Sequence, residues 1–221
     1  MKHKILLMGF LSFYFFNYGQ SLEKIFLKNP SFEGKPFQSQ TPVGWYDCSF
    51  MGESGADTHP NKFWGVNRNA QHGKTYIGMV ARLNGTYESI YQKLKRPLVA
   101  NQQYKFSISL CTSPVYNSGM NIRTYLEKGI LDFKRSDTTY SFTTPVLLRI
   151  IGGRKDCKML QLLAESPLID NYDWKKFVFT FTPIENYDHF YLQAFYKDDK
   201  TPCNGNILLD NASTIEPIVS K

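Results

Sequence analysis

The sequence predicts an all-β fold, a jelly-roll β-sandwich of two antiparallel sheets with one long inserted loop. Short apolar or alternating segments recur along the 221-residue chain, separated by Gly, Pro, Asn and Asp. This spacing is typical of sandwiches and jelly rolls. No segment has a long helical periodicity. Aromatic residues make up 15% of the chain, and most of the Phe residues are expected in a sandwich core.

Seven segments carry the strand signal. The alternation of apolar and polar positions expected of a half-buried strand is clearest in 104–110 and 176–181. The predicted strands are 76–80, 87–94, 104–110, 146–151, 176–181, 190–195 and 206–210.

Residues 113–144 interrupt this rhythm. They carry Tyr, Asn, Gly, Lys and Asp without a clear alternation, and 121–128 fits one or two turns of helix. We predict an inserted loop between two strands of the sandwich. Loops of this length are uncommon unless they are functional or mobile, so the insertion is a candidate docking element.

The first 19 residues predict a signal peptide. Lys2 and Lys4 precede an apolar run over 5–16, and Gly19 follows in a polar exit. This run of 12 residues is too short to cross a bilayer as a helix, which takes about 20. We therefore expect an exported protein, in the periplasm or at the cell surface or outside it. Residues 20–221 are expected to form a single domain without a membrane span.

Composition excludes several classes of protein. An apolar share of 42% and a charged share of 20% exclude a disordered chain and a coiled coil. A mean hydropathy of −0.35 excludes a protein with many membrane spans. The net charge of +7 falls to +5 when Lys2 and Lys4 leave with the signal peptide. This small excess is no nucleic-acid footprint, and no nucleic-acid partner is expected.

The four cysteines become informative in an exported chain, because an oxidising compartment permits disulfides. Cys48, Cys157 and Cys203 have polar, loop-like neighbours and are the disulfide candidates, with the pairing left open. Cys111 ends an apolar strand and fits a free buried thiol. There is no CxxC motif and no cluster of His and Cys, which argues against zinc.

The two ends of the chain carry motifs in a recognisable order. Residues 29–33 read Asn-Pro-Ser-Phe-Glu and lead to Trp45, whereas Trp174 begins a Trp-x-x-Phe segment and 205–211 read Gly-Asn-Ile-Leu-Leu-Asp-Asn. This order resembles the galactose-binding-like jelly rolls, which include carbohydrate-binding modules of the xylanase and laminarinase type. The resemblance implies a jelly-roll domain.

The chain is more similar still to a group of secreted domains from gliding Gram-negative bacteria. The shared motifs span nearly all of 29–216 apart from the insertion. They are found at 63–66, 73–78, 84–89, 149–153, Cys157, 162–167 and 205–211. This resemblance points to a component of an envelope secretion or gliding-motility apparatus that docks other proteins.

In the module family, the Phe-Glu carboxylate and the closing Asp bind a structural Ca²⁺ together with backbone carbonyls. The matching positions are Glu33 and Asp210. Ca²⁺ takes six to eight hard oxygen ligands, so an ion between the first and last strands would join them. Asn211 stands where many modules carry a second Asp. The alternative is that Glu33 caps a turn and Asp210 accepts backbone N–H groups.

Glycan binding requires exposed aromatic rings that act as platforms for sugar rings, with polar side chains that bind hydroxyl groups. The candidate platforms are Trp64, Tyr76, Tyr87 and Tyr91, and the candidate polar partners are Arg82, Glu88 and Gln92. In the predicted strand 87–94, Tyr87 and Tyr91 lie on one face and Glu88 and Gln92 on the other. The alternative is that the two Tyr rings fill the core between the sheets.

Catalytic signatures are missing from the sequence. It has no GxSxG, HExxH, P-loop or GxGxxG motif, and the strand signature of jelly-roll glycanases is absent. We therefore expect a non-catalytic, secreted binding module that binds carbohydrate and holds a structural calcium. The alternative is docking of an envelope protein through 113–144.

Overall fold

Two antiparallel sheets form the protein, as the sequence predicts. The computed structural model describes residues 23–60, 62–125, 131–135, 137–198 and 200–219. The predicted signal peptide, 1–19, lies outside the described residues. No helix among the described residues is long and apolar enough to cross a membrane.

The strands are short and numerous, and one 3₁₀ turn covers Phe63–Gly65. The strands are β1 Tyr46–Asp47, β2 Asp57–His59, β3 Tyr76–Ala81, β4 Ser89–Leu98, β5 Tyr104–Cys111, β6 Asn117–Ser118, β7 Asn121–Tyr125, β8 Leu131–Arg135, β9 Tyr140–Ser141, β10 Leu147–Arg154, β11 Lys158–Glu165, β12 Lys175–Phe181, β13 Tyr187–Phe195, β14 Gly205–Asp210 and β15 Glu216–Pro217.

The main core lies between the two sheets of the sandwich. The first sheet has the order β1-β4-β13-β10-β11, and the second has the order β12-β5-β14-β3-β2 with β15 paired to β5. Phe106 of the second sheet meets Phe190 of the first edge to face, with ring centroids 5.2 Å apart. Alternation in β4 places Ile90 and Leu94 in this core, on the face opposite to Tyr91.

The strand predicted before Gly152 and Gly153 is longer in the structure. The sequence predicts that the strand ends at these residues, but β10 runs through them to Arg154. A Cβ on Gly152 would lie 2.5 Å from the Tyr187 ring, and one on Gly153 would lie 2.1 Å from the Lys158 carbonyl oxygen. The glycines therefore make room inside the sheet for a tyrosine ring and for the neighbouring strand β11, which the sequence did not predict.

The described part of the inserted segment forms paired strands, where the sequence predicts a loop. Residues 121–125 of the predicted helical turns 121–128 form a strand, and 126–128 lie outside the described residues. The strands β6 to β9 of this segment are called the hairpin. Strand β6 pairs with β9, and β7 pairs with β8 beyond them. At the base of the hairpin, Tyr116 and Phe142 are buried and form a second core against the outer face of the second sheet. The members of this second core are Val66, Tyr76, Val80, Cys111, Tyr116, Phe142 and Leu208.

One disulfide, Cys48–Cys157, ties the residue after β1 to the turn between β10 and β11, with Cα atoms 5.7 Å apart. The prediction for these two cysteines is confirmed. Cys203 is a free thiol, so its prediction as a disulfide partner is wrong, and Cys111 is a free buried thiol as expected.

A buried histidine lies beneath the hairpin. The His59 ring stacks on Tyr76, with centroids 5.3 Å apart, and meets Tyr116 edge to face. Neither ring nitrogen has a hydrogen-bond partner among the described residues. Because burial penalises the charged ring, the pKa of His59 falls from 6.5 to about 4.

This histidine predicts an acid-side loss of stability. The unfolded chain protonates the ring below pH 6.5, whereas the folded chain does so only near pH 4. The free energy of unfolding contributed by His59 is therefore fully present above pH 6.5 and declines as the pH falls, by up to about 3 kcal/mol. Urea denaturation of wild type and His59→Phe between pH 8 and 4.5 checks this. The difference between the two curves should grow towards acid, and parallel curves would contradict the assignment.

Candidate functional site

A cleft of about 290 Å³ lies where the base of the hairpin meets the loops before β2 and the 3₁₀ turn. Its lining combines an indole ring and a thioether with hydroxyl, amide and carboxylate groups. The lining residues are Gln38, Ser39, Glu53, Ser54, Trp64, Ser118, Gly119 and Met120.

Trp64 is held at the cleft by its backbone and by its indole nitrogen. Its φ of 59° lies in the left-handed region, which a bulky residue rarely adopts. The indole N–H donates to Asp57 Oδ2 at 2.9 Å. The ring is half-buried, so the hydrogen bond fixes one edge of the indole while part of the side chain stays accessible.

Asp57 joins three segments of the chain behind the cleft. Its Oδ2 also accepts the Tyr116 hydroxyl at 2.5 Å, and its Oδ1 accepts the Ser39 backbone N–H at 2.8 Å. The carboxylate is 4% exposed and has donors on both oxygens. It therefore connects the base of the hairpin, the 3₁₀ turn and the N-terminal loop, and these segments form three walls of the cleft.

Arg82 and Glu88 form a buried ion pair beside this carboxylate. Arg82 Nη2 donates to Glu88 Oε1 and, at 2.8 Å, to Ser54 Oγ. Glu88 Oε2 accepts the Val80 backbone N–H at 3.0 Å. Arg82 Nε lies 3.8 Å from Glu53 Oε2. The two predicted polar ligands are thus directly behind Ser54 and Glu53, which line the cleft.

The acidic groups of this cluster resist ionisation. Burial, opposed by the charge of Arg82 and reinforced by the nearby Asp57, raises the pKa of Glu88 to about 8. Burial also raises the pKa of Asp57, against the hydrogen bonds from Tyr116, Ser39 and the Trp64 indole. The low-dielectric interior therefore favours the protonated, neutral form of Glu88 at neutral pH.

Tyr91, one of the two tyrosines of the predicted strand 87–94, lies elsewhere, on the outer face of the first sheet. Tyr91 stacks on Tyr191, with centroids 5.1 Å apart, and it also contacts Tyr46 at 5.5 Å and the His189 ring at 5.8 Å. Because rings stacked across adjacent strands cover each other's faces, Tyr91 turns an edge outward. Tyr46, which the sequence did not single out, is 55% exposed and is the accessible ring of this tyrosine row.

Tyr87 packs into an aromatic group. Its ring contacts Phe50, Phe195 and Tyr196 edge to face, at centroid distances of 4.9, 4.9 and 6.0 Å. It is half-buried against the main core. Packing is therefore its visible role, which was the alternative interpretation of this ring.

Tyr76 and Gln92 are inside the protein. Tyr76 is fully buried in the second core, and its hydroxyl donates to the Arg68 carbonyl at 3.1 Å. The Gln92 amide binds both the N–H and the carbonyl of Lys28, at 2.8 and 3.3 Å. In this structure neither side chain is available for direct contact with a ligand.

The predicted calcium ligands converge on one loop. Asp210 accepts the backbone N–H of His72 at 2.8 Å, and Glu33 Oε1 accepts that of Lys74 at 2.9 Å. Between them, Gly73 has a φ of 69°, and a Cβ there would lie 1.9 Å from Glu33 Oε1. Burial raises the pKa of Asp210 to about 6, and the charge of Glu33 adds to this rise.

Two hard carboxylates that repel each other fit a cation, because an ion between them would relieve the repulsion. Among the described residues, no group of three or more His, Cys, Asp and Glu side chains is arranged to hold a metal. Ca²⁺ takes six to eight oxygen ligands, so it would need others besides these two carboxylates.

Sequence reasoning missed Asp57 and Glu53, and it considered Tyr116 only as part of the inserted segment 113–144. Asp57 sits in a region of the sequence that reads as loop, and Tyr116 belongs to the insertion. Asp57 had one available signal, since it precedes the buried pair Thr58 and His59 in a short strand. Nothing in the local pattern indicates the contact with Tyr116.

Comparison with known proteins gives similar structures but no sequence relatives. No family model matches the chain, and no curated protein matches it. A cyclase from Fischerella sp. TAU is 16% identical with a TM-score of 0.51, and the match covers 90% of this chain and 99% of the cyclase. An arabinose-bound α-L-arabinofuranosidase, MgGH51, is 8% identical with a TM-score of 0.50, and the match covers 88% of this chain and 26% of that enzyme.

A family 16 carbohydrate-binding module is 15% identical with a TM-score of 0.44, and the match covers 86% of this chain and 99% of the module. At these identities the likenesses show the fold alone. The chain has an all-β sandwich fold.

Proposed function

We propose that the protein is a non-catalytic carbohydrate-binding module and that its ligand occupies the cleft at Trp64. One observation carries this proposal: the cleft places a fixed indole ring among short polar side chains. Sugar rings have apolar faces that pack on aromatic rings and hydroxyl groups that need hydrogen bonds. A pocket with one aromatic wall and a few convergent polar groups suits such a ligand.

The hydrogen bonding of the buried acids supports binding over catalysis. Both oxygens of Asp57 are taken by donors from Ser39, Trp64 and Tyr116. Both oxygens of Glu88 are likewise engaged, by Arg82 and Val80. A general acid or base needs an atom within reach of the substrate, whereas these carboxylates hold the walls of the cleft.

Trp64→Ala tests the site. Removal of the indole takes away the aromatic wall, so affinity for a glycan ligand should fall at least about tenfold, which corresponds to 1.4 kcal/mol. A broad glycan array followed by titration of the retained ligand measures this. Tyr46→Ala is the matched control, because it removes an exposed aromatic ring from strand β1 of the first sheet, which does not line the cleft.

Urea denaturation of both variants establishes that they fold. If Tyr46→Ala loses binding and Trp64→Ala keeps it, the binding site lies at the tyrosine row, which is formed by Tyr46, Tyr91 and Tyr191. If the protein binds no glycan on the array, the proposal that it binds carbohydrate is wrong.

A structural Ca²⁺ held by Glu33 and Asp210 is the second part of the proposal. Its support is the convergence of two carboxylates, one from the segment before β1 and one from the end of β14, on the loop around Gly73. The ion would supply positive charge between them and fix this end of the sandwich. Its other ligands would be carbonyl oxygens of the same loop.

Chelation tests the ion. Calcium at 100 times its dissociation constant adds about 2.7 kcal/mol to the free energy of unfolding. EDTA should therefore lower the Tm of the wild type by roughly 5–10 °C, and added Ca²⁺ should restore it. Asp210→Ala should show no response to EDTA. Equal responses of the two proteins would reject the site.

Docking of an envelope protein is the second candidate function. The observation that favours it is the hairpin itself, whose strands β7 and β8 pair with each other beyond the buried base. Such a projecting element suits recognition by a partner in the periplasm or at the cell surface.

Shortening of the hairpin tests docking. Replacement of residues 122–134 by an Asn-Gly turn removes its outer part and leaves Tyr116 and Phe142 in the second core. The sandwich should keep its stability. An envelope protein that has been identified by its co-purification with the wild type should no longer co-purify with the shortened protein. Retention of that partner by the shortened protein would contradict docking through the hairpin.

A further inference from the structure

The free hydrogen-bonding groups of the cleft are uncharged. Gln38 and Ser39, in the segment before β1, line the cleft, and neither side chain has a hydrogen-bond partner among the described residues. Gln38 is half-buried and Ser39 is exposed. The amide has two N–H donors and an acceptor oxygen, and the hydroxyl group both donates and accepts. These two side chains therefore match the hydroxyl groups of a sugar, which also donate and accept.

The ionisable group of the cleft lining, Glu53, is already matched inside the protein. Its side chain is 2% exposed, its Oε1 accepts the Asn84 amide at 2.6 Å, and its Oε2 lies 3.8 Å from Arg82 Nε. Arg82 is fully buried and lies behind the cleft, outside its lining. A charged ligand would lose water in the cleft without gaining a free counter-charge, and such burial is costly. The described lining therefore favours an uncharged ligand.

The cleft is small and offers one aromatic ring. Its volume of about 290 Å³ is at the lower limit for ligand pockets, which measure about 300–1,000 Å³. Trp64 is the one aromatic residue in the described lining, so a single sugar ring can stack there.

The lining comes from four separate segments of the chain: 38–39, 53–54, Trp64 and 118–120. A sugar ring that fills the space between these segments leaves only the mouth of the cleft for the rest of a glycan. An internal sugar residue has a neighbour on each side, whereas a terminal one has a neighbour on one side. The cleft therefore suits the end of a chain better than its interior.

We infer that the cleft recognises a single uncharged sugar residue at the end of a glycan. The inference rests on the proposed function, since it names the class of glycan for the same cleft. The sugar ring would pack on Trp64, and its hydroxyl groups would bond to the Gln38 amide and the Ser39 hydroxyl. Glu53 and Ser54 already bond within the protein, so they would share their oxygens with the ligand.

Glycans of increasing length test the recognition of a chain end. The probes are the methyl glycosides of glucose, galactose, mannose, xylose and arabinose, with the linear disaccharide and hexasaccharide of each. Calorimetric titration of the full protein should show binding of at least one of these sugars. Its hexasaccharide should bind no more than about threefold more tightly than its disaccharide, because the cleft encloses only the terminal residue. A larger gain with length would overturn the inference.

Charged sugars test the preference for an uncharged residue. The probes are the methyl glycosides of glucuronic, galacturonic and mannuronic acid and of glucosamine and galactosamine, at pH 7. Each should bind at least about tenfold more weakly than the best neutral sugar, which corresponds to 1.4 kcal/mol. Equal or tighter binding of any charged sugar would overturn the inference.

Gln38→Ala tests the assigned hydrogen bond. The affinity for the best neutral sugar should fall about three- to tenfold, as expected for the loss of one hydrogen bond. Gln40→Ala is the matched control, because it removes the same side chain from the same segment outside the cleft lining, and it should leave the affinity unchanged. Urea denaturation of both variants checks that they fold. Equal effects of the two substitutions would contradict the assignment.

The outcomes separate the inference from the proposed function. If long or charged glycans bind more tightly and Trp64→Ala removes that binding, the inference is wrong and carbohydrate binding at the cleft stands. If none of the probes binds, the inference is also wrong, and the broad array then decides whether the protein binds any glycan.

Discussion

The carboxylate of Asp57 is the interaction on which the candidate site depends. It receives the Tyr116 hydroxyl, the Trp64 indole N–H and the Ser39 backbone N–H. These donors come from the hairpin, the 3₁₀ turn and the N-terminal loop, three segments far apart in sequence. Burial of an acid is costly unless its oxygens are hydrogen-bonded, so each donor is needed. The cleft is the space that these three segments leave between them.

The same interaction explains how an insertion becomes part of the sandwich. Tyr116 is buried beside Phe142, and both cover the outer face of the second sheet. The hydroxyl of Tyr116 would carry a desolvation penalty there without the Asp57 acceptor. Apolar burial and one charge-assisted hydrogen bond thus hold the base of the hairpin in place, and the paired strands β7 and β8 extend from that base.

A strand could be predicted from the sequence where one of its faces is buried, because such a strand alternates apolar and polar residues. Strands β5 and β12 alternate and were predicted within one residue. Strand β11 was missed because its apolar side chains do not alternate and Leu160 and Leu162 are half-exposed at the sheet edge. The hairpin strands β7 and β8 were also missed. They pair with each other and not with either sheet of the sandwich. The site could be predicted only in part, because the bond between Asp57 and Tyr116 spans 59 residues.

We propose that a ligand binds between the hairpin base and the Trp64 turn. A crystal structure of the protein with a bound glycan is the decisive test. We expect electron density for a sugar ring against the Trp64 indole, with hydrogen bonds to Glu53 or Ser54 on one side and contacts to Met120 on the other. Density for the sugar on the tyrosine row, with the cleft occupied by water alone, would contradict it.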